Sequence, residues 1–384
     1  MRVLYFGTYR ADYSRNRILI EGLRRNGVEV LECHEPLWRG IEDRVRIASG
    51  GWMSPAFFVR VFRTYARLLR RYREIEDYDV MVLGYPGQVD VFLARILTWI
   101  KRKPLVLDVF MSIYLIAEER GLTSRHPLTG CLIRSLEGLA CRLPDLLILD
   151  TEEYLAWFEK FYKVPATRFR LVPTGADDRV FRPLVLNRPE NSRFLVLYYG
   201  SFIPNHGVRY IIEAAKILQD AEPDIQFELV GDGPDKPMAM SLAREYGLKN
   251  VVFHDWMDQE ALVRKICEAD LVLGAFGITP QSLMTVQNKI YEGLAMAKPV
   301  VTGDGPAVRR QMVHGEHILL CKRADSRALA DVIGLIKFNP ILRECIAKRG
   351  YKLYKTCFDL KNNGALFGNH LYKLLESWRC LKGI

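Results

Sequence analysis

Asn288-Lys289-Ile290-Tyr291-Glu292-Gly293-Leu294-Ala295-Met296-Ala297-Lys298-Pro299-Val300-Val301-Thr302 reads as a short helix running into a buried strand. Lys289 and Glu292 are three apart and share one helical face. Asn288 is expected to cap the helix, which sets Lys289 at the positive end of the helix dipole, where a diphosphate is stabilised. Glu292 follows one turn later, and a carboxylate can accept both hydroxyls of a ribose. A solvated Lys–Glu pair is the plain alternative, worth under about 1 kcal/mol. The glycine-bearing loop Gly274-Ala275-Phe276-Gly277 before the helix and the strand after it favour a site. Together they put the helix at the carboxyl edge of a parallel sheet, where such folds bind ligands.

Outward from this segment the chain repeats strand, turn, helix. Apolar runs at 2–6, 28–33, 79–83, 105–109 and 146–149 are expected strands of a first domain. Runs at 194–199, 225–230, 250–254, 271–273, 299–302 and 317–320 are those of a second. They are unbroken rather than alternating, as in strands buried on both faces of a parallel sheet. Ser14 is expected to cap a first helix that Gly27 closes. The stretch Pro173-Thr174-Gly175-Ala176-Asp177-Asp178, on through Pro183 and Pro189, reads as an interdomain linker. The expected division is 1–175, 176–364, and a helix at 365–384 that crosses back to the first domain. The fold class is α/β, two Rossmann-like domains facing across a cleft.

Composition narrows the class. The 384 residues suit two domains, and 49% hydrophobic residues suffice for two cores. No apolar run reaches the roughly 18–20 residues of a membrane span. Val89 to Ile100 is the best candidate, and it is short and interrupted by Asp90 and Arg95. Met1-Arg2 leads straight into an apolar strand, so no secretory leader is expected. The eight cysteines contain no CxxC pair and read as reduced thiols of a cytoplasmic protein. Lys and Arg exceed Asp and Glu by 55 to 45, a net +10 spread over both halves. That excess suits nucleic acid, phosphorylated substrates or an anionic membrane.

Other loops carry chemistry. Tyr199-Gly200-Ser201-Phe202-Ile203-Pro204-Asn205-His206-Gly207 joins a strand to a helix. Gly200 and Gly207 allow close backbone approach there, and Ser201 and His206 can add hydrogen bonds to a phosphate. Gly231-Asp232-Gly233-Pro234 makes a second turn at the same edge. Asp77-Tyr78-Asp79 is formally DxD, but it precedes a strand and reads as a solvated loop. No HxxxH pattern and no GxSxG is present, so no metal site and no hydrolase nucleophile is expected.

The Asn-Lys-x-x-Glu-x-x-Ala-x-x-Lys-Pro-Val-Val run, with Val230 to Pro234, Asn250-Val251-Val252-Phe253 and Ala269-Asp270, resembles the donor domain of a GT-B glycosyltransferase. The resemblance is to the retaining enzymes of family four. In the first half Tyr5 to Tyr9, Ser14-Arg15-Asn16-Arg17 and Leu149 to Glu153 extend it. The resemblance implies a nucleoside diphosphate sugar as donor, retention at the anomeric carbon, and no required cofactor or metal. The implied donor-binding residues are Gly7, Thr8, Gly200, Ser201, His206, Gly207, Gly231, Gly233, Thr285, Val286, Gln287, Asn288, Lys289 and Glu292. Lys289 and Asp108 are the catalytic candidates. The implied partners are the nucleotide sugar and an acceptor, lipid-linked or a growing glycan, in polysaccharide or glycolipid synthesis. No nucleic acid is expected. Met284 stands where many members have another glutamate, and Phe110 where many have a histidine. A sugar-nucleotide epimerase and a non-catalytic binding subunit are the alternative readings.

The segment 56–73 reads as an amphipathic helix with arginines and no acid. Arg60, Arg63, Arg67, Arg70 and Arg71 are candidates for contact with an anionic membrane at the inner face. Trp38, Trp52 and Phe57 lie nearby in sequence. An ordinary core-facing helix with a solvated basic face is the alternative.

Overall fold

The computed structural model describes residues 1–37, 54–184 and 193–382. Trp38, Trp52 and Pro189 lie outside them. The chain forms two compact units, 1–173 with the C-terminal segment from 360, and 174–359. The boundaries therefore fall at 173/174 and 359/360, a few residues from the expected 175/176 and 364/365.

The first unit holds a six-stranded parallel sheet in the order β2-β1-β3-β4-β5-β6. Its strands are β1 (Arg2–Gly7), β2 (Glu29–His34), β3 (Val80–Leu83), β4 (Leu105–Asp108), β5 (Leu146–Leu149) and β6 (Phe169–Leu171). Strands β3, β4 and β5 are buried at every residue, which is why their sequences are unbroken apolar runs. Edge strand β2 is buried only at Val30 and Cys33. Strand β6 has three residues, and only Phe169 is buried, too little pattern for a sequence to reveal.

The helices of this unit are α1 (Ser14–Arg25), α2 (Pro55–Arg73), α3 (Asp90–Lys101), α4 (Ile113–Glu119), α5 (Leu122–Arg125), α6 (Pro127–Ala140), α7 (Glu152–Tyr162) and the C-terminal helix. Ser14 is the first helical residue, not the cap; Tyr13 holds that position and no side chain caps the turn. The C-terminal helix starts earlier than expected, at Leu360, and runs to Lys382. It packs on α1, with Phe367, Leu371 and Leu375 joining Leu19 and Leu23 in one core. The two helices touch backbone to backbone: a Cβ on Gly364 would sit 1.9 Å from the carbonyl oxygen of Gly22. Only hydrogen at both positions permits this crossing.

The second unit repeats the architecture in the order β12-β11-β10-β7-β8-β9. Strands β7 (Phe194–Tyr199), β8 (Ile225–Val230), β9 (Val251–His254), β10 (Leu271–Leu273), β11 (Val300–Gly303) and β12 (Leu319–Cys321) are all parallel. Helices α8 (Val208–Ala221), α9 (Lys236–Glu245), α10 (Gln259–Glu268), α11 (Pro280–Met284), α12 (Asn288–Ala295), α13 (Pro306–Gln311), α14 (Ser326–Phe338) and α15 (Pro340–Leu353) cover it. The C-terminal helix is thus α16. One core lies under α8 and α14, the other under α12. Each fully buried aliphatic contributes about 1.5–3 kcal/mol.

Candidate functional site

In the second unit the chain moves from β7 to β8 and β9 on one side, then returns to β10 on the other side of β7. This reversal opens a crevice at the carboxyl ends of β7 and β10, the usual ligand position of such sheets. The loop 200–207 follows β7 and the loop 274–287 follows β10. The two are joined by a hydrogen bond from the Phe276 amide to the His206 carbonyl, 2.9 Å.

Lys289 lies against the loop after β7. Its side chain is buried, with Nζ 4.1 Å from the centre of the Tyr198 ring and 3.4 Å from His206 Nδ1. Among the described residues no carboxylate forms an ion pair with it. Burial lowers its pKa to about 7, which the charge of Glu292 only partly opposes. Burial, then the lysine, also holds the His206 imidazole well below its ordinary value. His206 Nδ1 donates to the Ser201 carbonyl at 2.6 Å, and the Tyr198 hydroxyl donates to the same oxygen at 2.7 Å. Gly200 has φ +130°, and a Cβ there would sit 3.1 Å from Lys289 Nζ. The loop therefore needs glycine both for its backbone and for the space the ammonium occupies.

Helix α12 begins at Asn288, and its N-cap is Gln287, not Asn288. No side chain caps it. The Gln287 side chain is buried, and neither its carboxamide nitrogen nor its oxygen has a hydrogen-bond partner. A buried amide left so costs about 1–3 kcal/mol. Thr285 and Val286 precede it, both buried, and the Val286 side chain belongs to the core. Val286 therefore has only backbone to offer a ligand. Glu292 is one turn into the helix and half-buried. Burial raises the Tyr199 phenol well above its ordinary value, and the charge of Glu292 and a hydrogen bond to it add to the effect.

Three supports of the site have no sequence motif. Arg323 donates from Nε to the Asp304 carbonyl (2.6 Å) and from one terminal nitrogen to the carbonyls of Ala275 (3.1 Å) and Gly277 (2.9 Å). It thereby holds the loop after β10, and burial lowers its pKa to about 10. Thr302 Oγ1 accepts from the Ala275 amide at 3.0 Å. Lys236 Nζ donates to the Gly231 carbonyl at 2.8 Å, and the Gly233 amide is tied to Asp232. Gly231 and Gly233 thus form a turn packed on the loop 200–207, the Phe202 amide donating to the Asp232 carbonyl at 2.9 Å.

The remaining sequence candidates lie in the first unit. Gly7 and Thr8 end β1 at its carboxyl edge. The Thr8 amide and hydroxyl both donate to Asp90, at 2.7 and 3.0 Å, and Tyr65 donates to the same carboxylate at 2.6 Å. Burial raises the Asp90 pKa to about 6. Asp108 is fully buried, and both its oxygens are engaged by Arg15, at 2.9 and 3.1 Å. Arg15 also donates to the Val172 and Pro173 carbonyls. This geometry suits tying β4 to the segment at Val172 and Pro173. Phe110, after β4, has φ +56°, and its flanking Met111 amide donates back to the Val109 carbonyl at 2.6 Å. Asp77 pairs with Lys103 and Asp79 accepts the Arg2 amide, so the DxD pattern is spent on local structure. His314 and His317 each accept a backbone amide. On α2, Arg67 and Arg71 pair with Glu35 at 3.0 and 2.8 Å, while Arg63 and Arg70 are exposed. No described helix is long and apolar enough to cross a membrane.

Two six-stranded parallel sheets covered by helices make the GT-B fold, and the known proteins similar to this chain are glycosyltransferases. Residues 193–336 match the domain described as glycosyl transferases group 1. The alpha-D-kanosaminyltransferase of Streptomyces kanamyceticus is 26% identical over 270 residues, 68% of each chain. The lipopolysaccharide core biosynthesis glycosyltransferase LpsD of Rhizobium meliloti is 26% identical over 229 residues, 59% of this chain and 61% of LpsD. Among solved structures, HepE of Anabaena in complex with UDP superposes with a TM-score of 0.68 at 17% identity, covering 97% of this chain and 99% of that one. Sucrose-phosphate synthase of Thermosynechococcus elongatus gives 0.69 at 17% identity, with 98% and 99% covered. The chain is a glycosyltransferase, and its second unit carries the glycosyl transferases group 1 domain.

Proposed function

We propose that this enzyme takes a sugar from a nucleoside diphosphate sugar held by the second unit and transfers it, with retention, to an acceptor hydroxyl. The observation that carries the donor reading is the buried Lys289 ammonium, unmatched by any carboxylate ion pair among the described residues and set beside an uncapped helix start. A diphosphate there supplies the missing charge. Glu292, one turn on, is placed for the ribose hydroxyls, and the Gln287 carboxamide for a hydroxyl or phosphate oxygen. HepE has been solved with UDP and with UDP-glucose, which supports a nucleotide sugar as donor.

As the glycosidic bond breaks, negative charge grows on the leaving diphosphate. Lys289 and the dipole of α12 are fixed in advance at that position, which lowers the barrier rather than merely binding the ground state. With Asp108 closed by Arg15, the working route is front-face attack, the leaving phosphate accepting the acceptor's proton. No cofactor enters this scheme. Gly7 and Thr8 are proposed to shape the acceptor unit's edge through Asp90. Relatives named for lipopolysaccharide core and phosphatidyl-myo-inositol mannosylation support a lipid-linked or glycan acceptor. The exposed arginines of α2 are proposed as peripheral contacts to an anionic membrane at its inner face.

The test is a thermal-shift panel of nucleotides and nucleotide sugars. A ligand at about 100 times its Kd adds about 2.7 kcal/mol of stability. Glu292→Ala is expected to weaken the best nucleotide about tenfold to a hundredfold, by losing bonds from a charged acceptor. Unchanged affinity would refute the site.

A further inference from the structure

In the first unit the steps β2 to β3, β3 to β4 and β4 to β5 all run the same way along the sheet. Right-handed crossovers therefore put α2, α3 and α6 on one face, while α1, which serves the opposite step from β1 to β2, lies on the other with α16. All three helices of the first face turn apolar side chains to solvent, α2 with Phe58, Val59 and Phe62. On α3 these are Ile96, Trp99 (64% exposed) and Ile100 (73%). On α6 they are Leu128 (87%), Leu132, Leu136 and Leu139, spaced by four, four and three residues, one continuous helical stripe. The buried face of α6 is separately satisfied by Thr129, Gly130, Glu137, Gly138 and Ala140, so the stripe is surplus to the fold.

Beside the carboxyl ends of α3 and α6 lies a cavity of about 570 Å³. Four guanidinium groups line it, Arg95, Arg102, Arg142 and Arg168, against one carboxylate, Asp145. Trp99 and Trp378 form its apolar wall, and Trp99 is also one of the exposed apolar side chains of α3. Arg95, Arg142 and Arg168 are set in place by backbone carbonyls. Arg95 donates to the Leu143 carbonyl at 2.8 Å and pairs with Asp145 at 2.9 Å. Arg142 donates to the Tyr162 carbonyl at 2.7 Å, and Arg168 to the carbonyls of Arg142 and Pro144. Burial and then the neighbouring Arg95 and Arg142 hold Arg168 below its ordinary pKa, with Asp145 opposing. The cluster lacks about three negative charges.

We propose that this cavity takes the phosphate of an anionic membrane lipid while Trp99, Ile100 and the leucine stripe of α6 enter the interfacial layer of the bilayer. Guanidinium groups are matched to phosphate in charge and fork geometry. A tryptophan between a basic pocket and an apolar stripe suits the boundary between headgroup and acyl chain. A protein partner would cover the stripe but would leave the arginines unmatched, so the lipid surface fits both halves of the patch. This deepens the proposed membrane contact and is independent of the donor site, because none of its residues belongs to the second unit.

The test is co-sedimentation of the full chain with vesicles of phosphatidylcholine alone or with about 30% phosphatidylglycerol. Binding is expected only to the anionic vesicles and is expected to weaken with added salt. The pair Trp99→Ser and Ile100→Ser, and separately the pair Arg102→Glu and Arg142→Glu, should each lower the bound fraction's affinity about tenfold or more. The nucleotide affinity of each variant should stay that of the parent, which shows that the variants fold and separates this inference from the donor reading. No binding of the intact chain to anionic vesicles would overturn it. So would binding that survives both pairs of substitutions, which would leave α2 as the contact. A concentration-dependent dimer that Leu132→Ser and Leu136→Ser dissolve, without vesicle binding, would overturn it in favour of a self-interface.

Discussion

The pH dependence of donor binding follows from Lys289. In the free protein its ammonium titrates at about 7. A bound diphosphate favours the charged form and raises that value. Binding therefore takes up a proton wherever the free lysine is neutral. The protonated fraction falls from about one-half at pH 7 to about one in a hundred at pH 9, so nucleotide-sugar affinity should drop about fiftyfold across that window. A nucleotide sugar is the right probe, since its diphosphate, esterified at both ends, does not titrate there. Calorimetry at pH 8 in two buffers of different ionisation enthalpy should show about 0.9 proton taken up per ligand. Lys289→Met should abolish the uptake, flatten the profile and weaken binding by about 1.5–3 kcal/mol. Affinity that stays level from pH 7 to 9, with no proton exchanged, would refute the reasoning. The same lysine acts on stability. The unfolded chain keeps its proton up to about 10.5 and the folded one releases it near 7. The ligand-free protein should then gain about 1.4 kcal/mol per pH unit from this group between those values, and less when nucleotide is present.

Gly364→Ala should drive α1 and α16 apart and cost about 1–3 kcal/mol or more in urea unfolding. Gly334→Ala is the control in the same assay: a Cβ there meets nothing within 4 Å, and the helix should gain about 0.5–1 kcal/mol. Asp108→Asn should destabilise by about 3–5 kcal/mol, because it leaves Arg15 charged and buried. A variant that keeps its stability and loses only kcat would instead make Asp108 part of the chemistry. Gln287→Ala should raise the melting temperature of the ligand-free protein slightly and weaken the nucleotide sugar more than the bare nucleotide, measured side by side by thermal shift.

Much of the fold was legible because buried parallel strands cannot hide their composition. The runs at 146–149, 194–199, 225–230 and 271–273 match β5, β7, β8 and β10 to the residue. Lys289 and Glu292 were legible because a helical period of three places them on one face. The cap was misread for a local reason: asparagine is the better capping residue in general, yet the extended backbone falls on Gln287, φ −69° and ψ 145°. What stayed hidden is long-range. Arg15 and Asp108 are 93 residues apart, and Arg323 reaches loop residues 46 and 48 positions away. No window of sequence contains such pairs, and arginine and aspartate appear in every surface loop as well. The apolar stripe of α6 was hidden differently. Its leucines have the spacing of a core face, and only the structure says which side of the helix the core is on.

The two buried cations Arg15 and Lys289 show how this chain separates stability from chemistry. Both lose hydration on folding. Arg15 recovers it from a bidentate aspartate and two carbonyls, and its pKa ends above the ordinary value despite burial. Lys289 recovers little, because a tyrosine ring and a neutral imidazole are its neighbours, and its pKa falls. At pH 7 the difference between the ordinary 10.5 and about 7 is a cost of about 4–5 kcal/mol to the folded state. Placing Glu292 in contact with the ammonium would remove that cost, but it would also fill the position a diphosphate needs and neutralise the charge meant for it. The carboxylate stands one turn further along the helix instead. The geometry therefore leaves the ammonium to an anion from outside, and in the proposed reaction the charge that destabilises the empty protein is the charge that stabilises the leaving group.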